Sequence, residues 1–342
     1  MVTRWITMVA LLLAWTGCDG GSGGGGGPDT QEPAADSATE PDSSPPQDLV
    51  PAEDSPPAAD TPPPEDTPPV VDPKCAALVE NWNPAFDVDG EDRSLILELP
   101  TGLEEGGPWP VVFNWHGFGD TAANMNNLLK AAVDDHGFKF ILVTPEDTNP
   151  LMGDGLDWMI VNVAEGNKEA RLFDEVLECL DQRWGVDWDH VHSVGFSAGA
   201  VCSDLIGTLR GDVLASSVSF SGVYFSNPAN DIALTDWVEP TGMNPYAQLI
   251  MHGGTKDTWG VPPFIEIHFD QAAQNDRAWL NGRGHDVVFC AHSLGHTIPF
   301  DFSASTRVAQ FFRDHKRGSA SPYMDALPAE FQKYCEPSPG AR

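Results

Sequence analysis

The stretch His190–Gly199, HVHSVGFSAG, determines how the rest of this chain is interpreted. A short β-type run from His190 to Gly195 ends in the pattern Gly-x-Ser-x-Gly, with Ser197 at its centre. In that pattern the serine lies on a tight turn between a strand and a helix, because glycines two positions before and after it let neighbouring backbone pass close by. The following helix directs its N-terminal amides toward charge that develops beside the serine. Since such matches also arise by chance in glycine-rich turns, the surrounding sequence has to decide between the two interpretations.

Segments typical of strands and of helices alternate on both sides of this stretch. The predicted strands cover residues 94–99, 110–115, 138–143, 190–195, 216–220, 248–252 and 286–290. The predicted helices cover residues 122–136, 168–184, 198–209, 265–280 and 303–315. This order predicts an α/β fold with one mostly parallel, doubly wound sheet and helices on both of its faces. Ligands of such sheets bind at the carboxyl ends of the strands.

The loop after the strand at 110–115 reads His116-Gly117-Phe118-Gly119. In a serine hydrolase of this topology, one amide of the oxyanion hole comes from this loop and the other from the residue after the nucleophile. Phe118 and Ala198 are therefore the candidate oxyanion-hole residues. A plain glycine turn after a strand is the alternative.

An acid and a histidine follow the last two predicted strands. Asp257 follows the strand at 248–252, where a triad needs a carboxylate to hold the histidine tautomer. His296 follows the strand at 286–290 and is the candidate general base, with His292 as the alternative. The rival acids, none of which directly follows a strand, are Asp231, Asp236 and Asp270.

The segments VVFNWHGFGD, SVGFSAGA, LIMHGGTKDTWG and HSLGHTIPF together resemble the secreted polyhydroxybutyrate depolymerase and feruloyl esterase group of α/β-hydrolases. The resemblance extends from about Ser94 to His315. It implies the α/β-hydrolase fold, Ser197 as nucleophile, Asp257 as triad acid, His296 as base, and ester cleavage through an acyl-enzyme without a cofactor. A serine peptidase of the same fold and an inactive surface-binding lipoprotein are the competing hypotheses.

Aromatic residues border the predicted site. Trp115, Trp158 and Trp259 are candidates for substrate binding in an apolar cleft, and Trp237 lies on a loop of the same region. Ordinary core packing is the alternative for each of them. Two long irregular segments, 147–165 and 223–246, are expected to shape the acyl and alcohol pockets.

The first 74 residues of the chain are not expected to fold. Residues 1–18 have the pattern of a signal peptide, with Thr16-Gly17-Cys18 similar to the end of a bacterial lipobox in which Cys18 is lipidated. Residues 19–74 are a Pro- and Gly-rich acidic segment with the composition of a disordered tether. The prediction is one catalytic domain at 75–342, exported as a cell-surface or periplasmic lipoprotein, with ordinary secretion as the alternative.

The charge of the chain restricts its partners. Residues 75–342 contain 38 acidic and 16 basic side chains, so the tether accounts for only part of the net charge of −33. Such a domain repels nucleic acid and anionic lipid. A neutral ester, including a polymeric one, is therefore the favoured substrate, and membrane attachment is expected only through the lipid. We expect a monomer.

Five cysteines remain after Cys18, which fits an exported protein. The favoured pair is Cys75–Cys335, because the ends of a domain often lie close together, and Cys179–Cys202 is the second. Four residues near the last predicted strand could suggest zinc, but no second paired ligand set accompanies them, so no metal is expected. These residues are His285, Cys290, His292 and His296.

Overall fold

A computed structural model describes residues 71–341 except 136, 149–156, 162, 164–165, 231–234, 241–243, 262–264 and 304–305. The predicted signal peptide, the lipidation site at Cys18 and nearly all of the predicted tether lie outside the described residues. Pro69–Arg342 form one compact unit. Val71 packs against the core, four residues before the predicted start of the catalytic domain at Cys75.

Strands account for the centre of the molecule. Within the described residues they are β1 (Asn81–Val88), β2 (Glu91–Glu98), β3 (Trp109–Trp115), β4 (Asp134–Asp135), β5 (Phe138–Lys139), β6 (Ile141–Pro145), β7 (Val186–Phe196), β8 (Ser216–Phe220), β9 (Ala247–His252), β10 (Thr258–Val261), β11 (Ile265–His268), β12 (Val287–Ala291) and β13 (Cys335–Ser338). The α-helices are α1 (Pro73–Ala76), α2 (Ala122–Asn126), α3 (Lys168–Trp184), α4 (Ala198–Arg210), α5 (Phe269–Gly282), α6 (Phe300–Ser303) and α7 (Arg307–Asp314). Short 3₁₀ turns lie at Leu103–Glu105, Lys130–Ala132, Pro228–Asn230 and Pro322–Met324.

The main sheet of the described residues has nine strands in the order β1-β2-β6-β3-β7-β8-β9-β12-β13. All pairs from β6 to β12 are parallel, whereas β1·β2, β2·β6 and β12·β13 are antiparallel. The carboxyl ends of the parallel strands therefore meet at one edge, where the sequence places its candidate site residues.

Helices cover both faces of this sheet. On β3, Val111 and Phe113 belong to a core cluster that includes Leu172 of α3 and Leu205 of α4, whereas Val112 belongs to a cluster on the other face with Phe312 of α7. A strand whose alternate side chains are all buried must have apolar partners on both sides. The predicted doubly wound α/β fold is confirmed. In the described part of the chain, no helix is both long enough and apolar enough to cross a bilayer.

The helix predicted at 122–136 is shorter than expected. It ends at Asn126, whose side chain turns inward to donate to Glu98 (2.7 Å) and to accept from Thr144 (3.0 Å). The carbonyl of Met125 accepts a hydrogen bond from the side chain of Asn114 (2.9 Å). Side chains that bond elsewhere in this way compete with helix propagation, and a 3₁₀ turn follows.

Two other element predictions need correction. The first four residues of the helix predicted at 265–280 form β11, which pairs with β10 as a separate hairpin. The strand predicted at 286–290 corresponds to β12, but it is not the last strand. It is followed by β13, which pairs antiparallel with β12 at the sheet edge. The short sequence of β13, CEPS, carries no alternating apolar pattern that would have predicted a strand.

Both predicted disulfides are wrong. Cys75 on α1 is bonded to Cys179 on α3, and Cys290 on β12 is bonded to Cys335, which lies opposite it in the register with β13. Cys202 is a buried free thiol. The added strand β13 explains the difference, because it brings Cys335 to β12 instead of to the start of the domain.

Candidate active site

Ser197 lies between β7 and α4 in a strained backbone conformation, with φ 57° and ψ −122°. The two glycines of the motif are required by close backbone contacts. A Cβ on Gly195 would lie 2.0 Å from the carbonyl oxygen of Gly199, and a Cβ on Gly199 would lie 2.1 Å from the carbonyl oxygen of Trp115. The sharp turn between strand and helix that the motif predicts is therefore present.

A continuous chain of hydrogen bonds joins the three predicted catalytic side chains. His296 Nε2 lies 2.8 Å from Ser197 Oγ, and His296 Nδ1 lies 2.6 Å from Asp257 Oδ1. The second carboxylate oxygen, Asp257 Oδ2, accepts hydrogen bonds from the hydroxyl of Ser221 (2.7 Å) and from the N–H of Gly253 (2.6 Å). A carboxylate can only accept, so Nδ1 of His296 carries the proton and Nε2 presents a lone pair to the serine hydroxyl.

The environment of Asp257 keeps it charged. Complete burial acts to raise the pKa of Asp257, but the hydrogen bonds from His296, Gly253 and Ser221 outweigh it and lower the pKa below its ordinary value. The acid and base loops also meet directly, since the N–H of Gly295 donates to the carbonyl of Gly253 (3.0 Å). A Cβ on Gly253 would lie 1.9 Å from the carbonyl oxygen of Gly295, so this approach requires glycine.

Three residues that the sequence reasoning did not single out support the triad. Phe269 at the start of α5 stacks on the His296 ring (4.9 Å between centroids, 18° between planes), and Phe196 packs on the same ring at 4.9 Å. Ser221, at φ 56°, follows β8 and binds Asp257. Phe196 is recognisable only as the variable residue before the serine in the motif, and the sequence carries no signal for Phe269 or Ser221.

The alternative triad residues that the structure describes make other contacts. The side chain of His292 accepts a backbone N–H of its own loop through Nδ1 (3.1 Å). Asp270 lies in the first turn of α5, and the backbone N–H of Asp236 donates to the carbonyl of Val161 (3.1 Å). Asp231 is outside the described residues.

The two candidate oxyanion-hole residues belong to the two segments next to Ser197. Ala198 is the first residue of α4, and among the described residues no protein acceptor receives its N–H or that of Phe118. A Cβ on Gly117 would lie 3.4 Å from Cβ of Ser197, so the predicted loop passes directly beside the serine. The loop is held from its far side by Asp157, which accepts the N–H of Gly119 (2.5 Å). The assignment of Phe118 and Ala198 stays a prediction.

The three candidate substrate-binding tryptophans divide into two kinds. Trp115 and Trp158 are fully buried and pack edge to face at 5.2 Å, so the expectation that they line an open cleft needs correction. Trp158 instead donates its indole N–H to the carbonyl of His116 (2.9 Å) and so fixes the start of the Phe118 loop. Trp259 on β10 is partly exposed and packs edge to face against Phe118 at 6.3 Å, which is the position expected of a cleft residue.

The described parts of the two irregular segments contact each other. Trp237, from the segment at 223–246, donates its indole N–H to the carbonyl of Ile160 (2.7 Å) in the segment at 147–165. The ring of Trp237 also packs against Phe225 at 5.4 Å. The predicted role of both segments in shaping the pockets stays a prediction, since much of each lies outside the described residues.

Potential metal ligands do not gather where the sequence first suggested. Cys290 is in a disulfide, and the Nδ1 atom of His285 bonds to the backbone carbonyl of Tyr246 (2.9 Å). A different group, His116, Glu146 and Asp147, places one ligand atom from each residue within 4.8 Å of the others. The sequence reasoning did not identify this group, because Glu146 and Asp147 follow β6 some thirty residues after His116.

A scan against known protein families gives no match for this chain. Feruloyl esterase D of Neurospora crassa is 22% identical over 235 residues, which cover 61% of this chain and 76% of that protein. The solved structure of sOPH superposes with a TM-score of 0.63 at 18% identity, covering 81% of this chain and 97% of that one. The solved structure of pOPH superposes with a TM-score of 0.59 at 17% identity, covering 77% and 96%. The predicted resemblance is therefore confirmed: the chain has the α/β-hydrolase fold and resembles esterases of the feruloyl esterase type.

Proposed function

We propose that this protein is an exported serine ester hydrolase that cleaves carboxylic esters of neutral polymers or plant cell-wall material through an acyl-enzyme. The observation that carries the proposal is the hydrogen-bond chain from Ser197 through His296 to the buried Asp257. An imidazole lone pair 2.8 Å from a hydroxyl, with its other nitrogen held by a carboxylate, is the arrangement that activates a serine for attack.

Acylation follows from this geometry. The Oγ atom of Ser197 attacks the ester carbonyl while Nε2 of His296 accepts the hydroxyl proton, and Asp257 stabilises the imidazolium that forms. The carbonyl oxygen becomes an oxyanion beside the N–H groups of Phe118 and Ala198, and the N-terminal end of α4 adds a favourable dipole. His296 then gives its proton to the departing alcohol, and the C–O bond of the ester breaks.

Deacylation uses the same groups in the same order. Water approaches the acyl carbon, His296 accepts one of its protons, and a second oxyanion forms between the two amides. Collapse of this intermediate returns the proton to Ser197 and releases the acid.

Substrate class and location rest on separate observations. The related protein from Neurospora crassa is a feruloyl esterase, and Phe118 and Trp259 form a partly exposed aromatic pair on and against the loop that passes beside Ser197. The high acidic charge disfavours anionic substrates. Two disulfides support an oxidising compartment, as expected of an exported protein, and we propose lipid attachment at Cys18 from the sequence alone.

Hydrolysis of p-nitrophenyl butyrate by the full chain tests the proposal. We expect turnover that Ser197→Ala lowers by about 10³-fold or more, because removing a triad nucleophile leaves only binding and oxyanion stabilisation. Ser94→Ala is the matched control, since the hydroxyl of Ser94 bonds to Pro84 in the edge strand pair. Equal rates in Ser197→Ala and the wild type would refute the proposed nucleophile.

A second measurement separates the substrate classes. Methyl ferulate and short hydroxybutyrate oligomers are compared by kcat/KM, together with a peptide p-nitroanilide. Preference for either ester supports the proposal and selects between its two forms. Faster cleavage of the anilide would favour a peptidase of the same fold, and binding of cell-wall polymer without turnover of any of them would favour a surface-binding protein.

A further inference from the structure

A histidine and two acids, none of them a triad residue, meet at the carboxyl ends of two neighbouring strands. His116 directly follows β3, and Glu146 and Asp147 directly follow β6, which pairs in parallel with β3. Nε2 of His116 lies 3.5 Å from Oε1 of Glu146 and 3.7 Å from Oδ2 of Asp147. These separations are within ion-pair distance but long for hydrogen bonds, and Nε2 makes no hydrogen bond to either acid.

The second ring nitrogen of His116 faces the acids without a hydrogen-bond partner. Its Nδ1 lies 3.0 Å from the carbonyl oxygen of Gly117, which can only accept, so Nδ1 carries a proton. Nε2 is completely buried and has no hydrogen-bond partner in the described structure. A neutral imidazole would thus direct its lone pair at two carboxylate oxygens, an unfavourable arrangement that a cation among the three atoms would relieve.

The spacing of the three atoms fits a small metal ion. Zinc binds histidine nitrogen and carboxylate oxygen at about 2.0–2.2 Å, so two ligands at a tetrahedral angle lie about 3.4 Å apart. The two distances from Nε2 are close to that value, and all three candidate ligand atoms lie within 4.8 Å of one another. A histidine whose other nitrogen donates to a backbone carbonyl is also the usual arrangement of a metal ligand.

We propose that His116, Glu146 and Asp147 bind one divalent transition-metal ion, with Zn²⁺ as the best match to one imidazole and two carboxylates. Neighbouring contacts prepare the site. The second oxygen of Glu146 accepts the N–H of Ala122 (3.1 Å), which leaves Oε1 directed toward His116. Three protein ligands leave a fourth position for water. The inference does not depend on the proposed ester hydrolysis.

The expected role of the metal is structural. His116 and Gly117 begin the loop that carries Phe118, and Trp158 already holds the carbonyl of His116. A metal bridge from His116 to the end of β6 would add a second fixed point to this loop. Loss of the metal would therefore loosen the predicted oxyanion-hole segment without removing any triad residue.

Metal binding by the purified full chain tests the proposal. After treatment with EDTA and desalting, ZnCl₂ is titrated by calorimetry and bound zinc is measured by mass spectrometry. We expect about one Zn²⁺ per chain, and a loss of affinity of about 100-fold or more in Asp147→Asn and Glu146→Gln, because even outer contacts of metal ligands contribute about 10- to 100-fold. Saturating zinc should raise the Tm of the wild type by about 5 °C and leave that of Asp147→Asn unchanged.

Two control variants identify the site. His190→Gln removes another histidine that lies beside a carboxylate, Asp187 at 2.8 Å, and should bind zinc like the wild type. His296→Gln removes the triad imidazole and should also retain the zinc ion. Equal Tm values of Asp147→Asn and the wild type in EDTA would show that the variant folds. The proposal would be overturned by unchanged zinc binding in Asp147→Asn and Glu146→Gln, or by a loss confined to His296→Gln. It would also be overturned if the wild type bound no zinc, because a proton on His116 would then be enough to compensate the two acids.

Discussion

Replacing Asp257 by Asn should disable the triad by imposing the wrong histidine tautomer. On the side away from His296, Asp257 Oδ2 receives two donors, the Ser221 hydroxyl and the Gly253 N–H. In Asp257→Asn the amide oxygen must take that side, because the N–H of Gly253 can only donate. The amide NH₂ then faces Nδ1 of His296 and makes it an acceptor. The proton moves to Nε2, which can no longer accept the proton of Ser197.

The magnitude follows from this inversion. The same change in a serine protease triad lowers kcat about 10⁴-fold with geometry retained, which corresponds to about 5.4 kcal/mol of transition-state stabilisation. We expect a loss of that order in kcat for p-nitrophenyl butyrate, with little change in KM. Asp270→Asn, which alters an acid in the first turn of α5, should retain wild-type activity. A folded Asp257→Asn enzyme with a loss below about 10-fold would contradict the tautomer argument.

Three further predictions concern the elbow, the triad support and acid stability. Gly199→Ala should lower activity about 100-fold or prevent folding, because the new Cβ would lie 2.1 Å from a backbone carbonyl oxygen. Gly282→Ala is the control, since open space surrounds its Cβ, and it should change neither activity nor Tm appreciably. Ser221→Ala removes one of the donors to Asp257, so the acid limb of the pH profile of kcat/KM should move to higher pH and kcat should fall about 10-fold. If Ser221 only fills space, the pH profile should not change. Burial lowers the pKa of His315 to about 4, below its unfolded value. Its contribution to the free energy of unfolding is therefore present above pH 6.5 and is lost as pH falls toward 4. In chemical denaturation, the free energy of unfolding of His315→Gln should change by about 3 kcal/mol less over that window than that of the wild type, and an identical pH dependence of the two proteins would exclude this assignment.

The meeting of the three candidate catalytic residues could be predicted because each one lies on a loop after a parallel strand. The strands at 248–252 and 286–290 are short, apolar and bounded by glycine or polar residues, so Asp257 and His296 could be placed at the same sheet edge as Ser197. Helix α3 has the bounds predicted for it, and in the structure Asn167 caps its start and Gly185 follows its end. Local pattern and long-range geometry agree at these positions.

The disulfides and supporting residues could not be predicted, because they depend on contacts that local pattern does not encode. The pairing of Cys335 with Cys290 requires β13, a four-residue edge strand without apolar alternation. The support from Ser221 depends on how the end of β8 lies beside β9. Trp115 follows the pattern of a strand near the site, yet it points into the core, a distinction that only the packing of its neighbours decides.

The central claim is that His296 activates Ser197 as the nucleophile. Its most direct test is to locate the residue that diethyl p-nitrophenyl phosphate modifies, because the phosphorylated serine mimics the acyl-transfer transition state. If Ser197 is activated by His296, intact-mass analysis should show one diethylphosphoryl group per chain, and peptide mapping should locate it on Ser197. The modification should be absent from Ser197→Ala and slowed by orders of magnitude in His296→Gln. A stoichiometric label on another residue, or no label on a folded wild-type protein, would contradict the account.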